Sequence, residues 1–181
     1  MDKGSLGQKM HKDFFDRCRE AIEMGYYLEA IFMEYAAIES RMEVLLGVLG
    51  LPCNKFLEDE DRKSIQISHR IHCAKIIFKQ SEAFKNTKLE AKYFDKLGGW
   101  INKRNIYIHG LYKNEFQYKG RKSNAKVLAE QGEKICKELY IEVNRLKRLR
   151  KRQPEIFDKL IECHSSRCNL HSQNKYDCEK A

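Results

Sequence analysis

From Tyr26 to about Leu49 the residues Leu28, Ile31, Phe32, Tyr35, Ile38, Met42, Leu45, Leu46 and Leu49 recur every three or four positions. Only a helix gathers such a set on one face. Gly50 and Pro52 follow as helix stops. Nowhere else does a run alternate with the period of two that a half-buried strand needs, and no Asn-Gly turn joins two apolar runs. The pattern predicts an all-α fold.

The remaining elements follow from the same period. Phe14, Phe15, Cys18 and Ile22 predict a first helix from Lys12 to Gly25. Ile65, Ser68, Ile71, Cys73, Ile76 and Ile77 predict one over Ser64–Lys79. Tyr93, Phe94, Leu97, Ile101 and Ile108 predict one over Leu89–His109, with Gly98-Gly99 as a place where it kinks or splits. A polar and aromatic loop with Tyr118 and Gly120 leads to a long helix over Asn124–Arg150, carrying Val127, Leu128, Ile135, Leu139, Val143, Leu146 and Leu149. Pro154 stops it, and a short helix over Glu155–Cys163 precedes a polar tail. The expected organisation is a flexible N-terminus over 1–11, one bundle of about five helices over 12–152, and a short helix with a polar, partly disordered tail over 153–181. With 181 residues, 42% of them apolar and only 2 Pro, a single core suits the length better than two domains.

No apolar run approaches the roughly 20 residues of a membrane span, and Met1–Met10 lacks the apolar centre of a signal peptide. Seven cysteines, an odd number, lie mostly within helical patterns, which argues for reduced thiols. A cytoplasmic protein without membrane contact is expected.

Charge is unevenly placed. The net +9 comprises 18 basic and 16 acidic residues over 1–112, 13 and 5 over 113–152, and 4 and 5 over 153–181. Nearly all of the excess therefore lies in one stretch, which ends Arg145-Leu146-Lys147-Arg148-Leu149-Arg150-Lys151-Arg152. Arg145, Lys147, Arg148, Arg150, Lys151 and Arg152 suit contact with RNA phosphates. The alternative is a solvated face at a helix C-terminus, where the dipole favours cations.

The chemistry-bearing motif is Arg104-Asn105-Ile106-Tyr107-Ile108-His109. With 12 Arg and 6 His in 181 residues, an Arg-x4-His pair arises by chance about 0.4 times per chain (12 × 6/181), and requiring one of the 9 Asn directly after the Arg lowers this to roughly 0.02. The stripe through Phe94, Leu97, Ile101 and Ile108 passes through position 105, so Asn105 is expected in a core slot. Arg104 and His109 lie about 140° apart on an ideal helix. They meet on one ligand if the helix end loosens at Gly110 or if two chains share the site. On helix 26–49, Glu39 falls inside the apolar arc, where a carboxylate needs a partner. It is expected to orient Arg104 or bond Asn105, or else to pair with a Lys or close a structural hydrogen bond.

A short helix, a long apolar helix with a late acidic residue, and a later helix closing with Arg-Asn-x-x-x-His resemble the HEPN domain over about Lys12–Arg150. That family includes prokaryotic toxins, abortive-infection proteins and CRISPR-associated ribonucleases. The resemblance implies a metal-independent endoribonuclease with no cofactor, whose Arg-x4–6-His motifs assemble across a homodimer. Arg104 and His109 would be catalytic, with Asn105 as the polar residue that commonly follows the Arg. It also implies a cognate antitoxin such as a nucleotidyltransferase. Members paired with such antitoxins often carry Tyr two residues after the His; here that position is Leu111, and Tyr112 follows as a supporting residue. Trp100 and Tyr107, seven residues apart, are expected to be dimer-interface aromatics.

The residue types fit the reaction. An imidazole titrates near neutral pH and takes the 2′-OH proton, while a guanidinium stays charged and grips phosphate with paired donors. The same residues also fit a solvated helix end, or a degenerate domain that holds RNA, nucleotide or a protein partner without cleaving. Two clusters have zinc-like residue types, His69, His72 and Cys73, and Cys163, His164, Cys168, His171 and Cys178. Neither has a paired Cys-x2-Cys, and both read as ordinary surface and core residues.

Overall fold

A computed structural model describes residues 3–51, 67–81, 84, 87–112 and 118–158, with side chains for 12–51, 67–79, 81, 84, 87–111 and 124–158. The all-α expectation is met. The helices are α1 (Lys3–Glu23), α2 (Tyr27–Val48), α3 (Ile67–Gln80), α4 (Ala91–Tyr112) and α5 (Tyr118–Arg152), and residues 154–158 are helical again. No strand occurs among the described residues.

Glycine closes the first two helices by the same device. Gly25 and Gly50 adopt φ of 82° and 80°, a left-handed conformation that costs an L side chain energy. After α1, Gly25 N–H donates to Ile22 O and Tyr26 N–H to Ala21 O; after α2, Gly50 N–H donates to Gly47 O and Leu51 N–H to Leu46 O. Each is a Schellman motif, which satisfies the last carbonyls.

Three expectations are corrected by helices longer or more continuous than their glycines suggest. Helix α1 begins at Lys3 instead of Lys12, so residues 3–11 are helical. Gly4 and Gly7 weaken helix propensity without ending it, and Gln8, Lys9, Met10 and Lys12 are good helix formers. Helix α5 likewise starts at Tyr118, ahead of the expected loop's end at Gly120. Helix α4 runs unbroken through Gly98-Gly99. Burial of Tyr93, Phe94 and Leu97 before the pair, and of Trp100 and Ile101 at and after it, outweighs a propensity cost of about 1 kcal/mol per glycine.

Contacts group the chain into two units. The first comprises Met1–Arg41 and Lys92–Tyr140. In it α4 and α5 are antiparallel, and their register is fixed by two hydrogen bonds. Tyr93 Oη donates to Ile135 O and Trp100 Nε1 to Leu128 O, each at 2.9 Å. Donors and acceptors are both seven residues apart, two turns on each helix. A buried Tyr or Trp needs a partner for its polar tip, and these helix carbonyls supply it. Ala30, Ile31, Ile38, Leu97 and Leu139 complete the core, and Phe15 packs edge-on to Tyr140 at 5.7 Å.

The second unit comprises Met42–Ala91 and Ile141–Ala181. Its core holds Met42, Leu45 and Leu49 of α2, Ile71 and Ile77 of α3, and Val143 and Leu146 of α5. Phe84 lies between Phe78 and Phe157, with ring centroids 4.8 and 5.7 Å away. Fully buried Phe157 anchors the helical stretch 154–158 that begins at Pro154, a residue suited to a first helical position. The expected continuation to Cys163 and the tail lie outside the described residues.

Candidate functional site

Arg104 is half-buried in the first unit, and its surroundings come from two helices. Its Nη1 donates to Asn105 Oδ1 at 2.9 Å on α4. Its guanidinium carbon stands 4.2 Å from the ring centroid of Tyr35 and 5.3 Å from that of Phe32, both on α2. Residues three apart on a helix share a face, so one stripe of α2 offers two rings to one cation. Such stacking holds the planar guanidinium without consuming all its donors.

Asn105 is half-exposed, which corrects the core slot expected for it. The buried face of α4 is Tyr93, Phe94, Leu97, Trp100 and Ile101, and at the next turn Arg104 turns toward the aromatics of α2. Ile108 is only half-buried and Ile106 is 65% exposed, so the stripe that seemed to cross position 105 ends one turn earlier. His109 is exposed in the last turn. Gly99, Asn102, Ile106 and His109 follow one another at three- and four-residue spacing along the exposed side of α4. Tyr112 ends α4, and its side chain lies outside the described residues.

Trp100, expected at an interface, is a core residue, 2% exposed and hydrogen-bonded to α5. Tyr107 is half-buried.

Glu39 is half-buried, and the acid of α2 that lies inside the core is Glu34. Leu28 and Phe32 are 39% and 44% exposed, so the buried line of α2 is Ile31, Glu34, Ile38, Met42 and Leu45, rotated from a stripe centred on Tyr35. Neither carboxylate oxygen of Glu34 has a hydrogen-bond partner among the described residues. Burial, reinforced by nearby Glu133, pushes its pKa up to about 9, so the carboxyl is neutral at pH 7. Space for it comes from Gly132 on α5. A Cβ there would overlap the Glu34 carboxyl and stand 2.7 Å from Trp100 Cζ2. Cys136 Sγ donates to the Glu34 backbone O at 3.3 Å. Burial, with Glu34 and Glu133 adding, lifts the Cys18 thiol to about 12, and Cys136 is raised well above its ordinary value for the same leading cause. Both thiols are therefore inert as nucleophiles near neutral pH.

A different feature occupies the second unit. The ends of α2 and α5 line a groove of about 640 Å³. Helix α2 contributes Val44, Gly47 and Val48, and α5 contributes Lys147, Arg148, Arg150 and Lys151. Arg150 Nη1 donates to Gly47 O and Val48 O, both at 2.6 Å, so Arg150 caps the carbonyl end of α2. Arg148 Nε donates to Asn144 O at 3.3 Å within its own helix, and Arg145 pairs with largely buried Glu142 at 3.5 Å. Lys147, Lys151 and Arg152 are exposed.

Among the described residues no group of three or more His, Cys, Asp or Glu is placed to hold a metal ion, and His69 Nε2 lies 3.5 Å from Cys73 Sγ. The tail cysteines and histidines lie outside the described residues. Among the described residues no helix is long and apolar enough to cross a membrane. No family model matches the chain, and no curated protein or solved structure matches it either.

Proposed function

We propose that the protein is a metal-independent endoribonuclease of the HEPN type, using Arg104, Asn105 and His109 as its active site within a homodimer. The observation that carries this reading is a guanidinium steadied by Asn105, Tyr35 and Phe32 on the same helix as an exposed imidazole five residues on. His109 takes the 2′-OH proton, the oxygen attacks the adjacent phosphorus, and the 5′-oxygen leaves and takes up a proton from water, giving a 2′,3′-cyclic phosphate and a 5′-OH end. Arg104 stabilises charge on the phosphate oxygens, and Asn105 keeps the guanidinium in its plane.

Because Arg104 packs toward α2 while His109 faces solvent, one chain presents them poorly to one phosphate. A two-fold axis beside Ile106 and His109 joins the Arg of one chain to the His of the other. Exposed Ile106 supplies apolar contact for that interface. The basic end of α5 adds phosphate contacts, and the biological setting is a toxin or phage-defence effector with an antitoxin partner.

The test is incubation of the purified chain with structured RNA in EDTA. Cleavage leaving cyclic phosphate ends is expected, with Arg104→Ala and His109→Ala each reducing it by about 10²-fold or more, the usual worth of such groups. A second reading is a non-cleaving RNA, nucleotide or protein-interaction module. It is favoured by the engagement of Arg104 with α2 aromatics, and binding without cleavage would select it.

A further inference from the structure

We propose that the groove between the ends of α2 and α5 is a nucleotide subsite, taking a phosphate on its α5 side and a base or ribose against Val44 and Val48. Four of its lining residues are cationic and none is acidic. Its volume, about 640 Å³, is that of a site for one small ligand. Arg150 is fixed by two carbonyls through Nη1 alone, so its guanidinium is held in place before any ligand arrives.

Helix-end electrostatics explain part of this arrangement. Arg150, Lys151 and Arg152 stand in the last turn of α5, where the dipole favours cations. That explanation does not reach Gly47. Its φ is not left-handed, a Cβ added to it would meet nothing within 4 Å, and a glycine inside a helix costs about 0.5–1 kcal/mol relative to Ala. Neither backbone conformation nor packing requires glycine there. The consequence of having one is open space on the α2 side, opposite the cations. An apolar wall facing a cationic wall matches a nucleotide better than it matches an acidic peptide, whose charges repeat along both sides of a strand.

The inference rests on the RNA reading only for naming the polymer, and the test measures binding in an Arg104→Ala background where strand scission does not intervene. A labelled single-stranded oligouridylate is titrated at several salt concentrations. Gly47→Leu keeps every charge but fills the groove, and it is expected to weaken binding at least fivefold. Joint replacement of Lys147 and Lys151 by Gln should weaken binding about tenfold and flatten the salt dependence, whereas replacing exposed Lys12 and Arg17 by Gln should change affinity less than twofold. Competition by ADP would identify a free nucleotide as an occupant, and its absence would assign the groove to the polymer. Three results would overturn the proposal: unchanged affinity in Gly47→Leu, an equal loss from the two charge-removing pairs, or no binding of either probe. Should Gly47→Leu fail to fold, the contrast between the two pairs still decides.

Discussion

At the scale of single residues the sharpest tension is Glu34, a carboxyl without a hydrogen-bond partner among the described residues, in an apolar interior. Folded, it keeps its proton up to a pH of about 9, while in the unfolded chain it releases it near 4.5. The folded state therefore binds more protons between those values, and stability falls as pH rises through that window, by at most about 1.4 kcal/mol per pH unit. Glu34→Gln keeps the shape and lacks the titration. Its melting temperature should gain on wild type by several degrees between pH 5 and pH 8, and a gap that does not change with pH would contradict the assignment. Gly132 is the complement of this side chain. Gly132→Ala should destabilise by about 1–3 kcal/mol despite better helix propensity, because the added methyl overlaps Glu34 and Trp100. The loss should shrink in a Glu34→Ala background, and denaturant titration of the four-member cycle reads the coupling. Both residues were available to sequence reasoning. Glu34 falls three after Ile31 and four before Ile38, and Gly132 interrupts a helical pattern; centring the stripe on Phe32 and Tyr35 hid the first. Those two rings are partly exposed and lie against Arg104, so an aromatic on an amphipathic helix does not by itself mark the core.

At the scale of elements, the helices were legible because apolar period and glycine stops agree. Gly25 and Gly50 end helices through the positive φ that only glycine adopts cheaply. Gly4, Gly7, Gly98, Gly99 and Gly120 were misleading, since a glycine with ordinary helical torsions lowers propensity and leaves the outcome to packing. The pairing of α4 with α5 was not legible. It depends on where Tyr93 and Trp100 find acceptors, and any of several carbonyls would satisfy an unfolded count. With that register known, Trp100→Phe removes a buried donor, leaves Leu128 O with its helical bond alone, and keeps most of the ring volume. A loss of about 1–2 kcal/mol in chemical denaturation is expected, with no change in oligomeric state. A change in oligomeric state would return Trp100 to an interface.

At the scale of the whole molecule, the sequence placed nearly all the excess charge over 113–152, and the structure turns part of it into caps and pairs: Arg150 on α2, Arg148 on its own helix, Arg145 on Glu142. Charge counting reads the sign of a surface but not which cations are already engaged. The same holds for the candidate active site, where the motif was visible as letters while the stacking of Arg104 on α2 was not. The proposed active site joins Arg104 of one chain to His109 of another. It is tested most directly by mixing two inactive variants, Arg104→Ala and His109→Ala, under conditions that exchange subunits. Heterodimers contain one site with both groups, so metal-independent cleavage with cyclic phosphate ends should reappear at a substantial fraction of the wild-type rate. A mixture as inactive as its components, while wild type cleaves, would contradict the shared site.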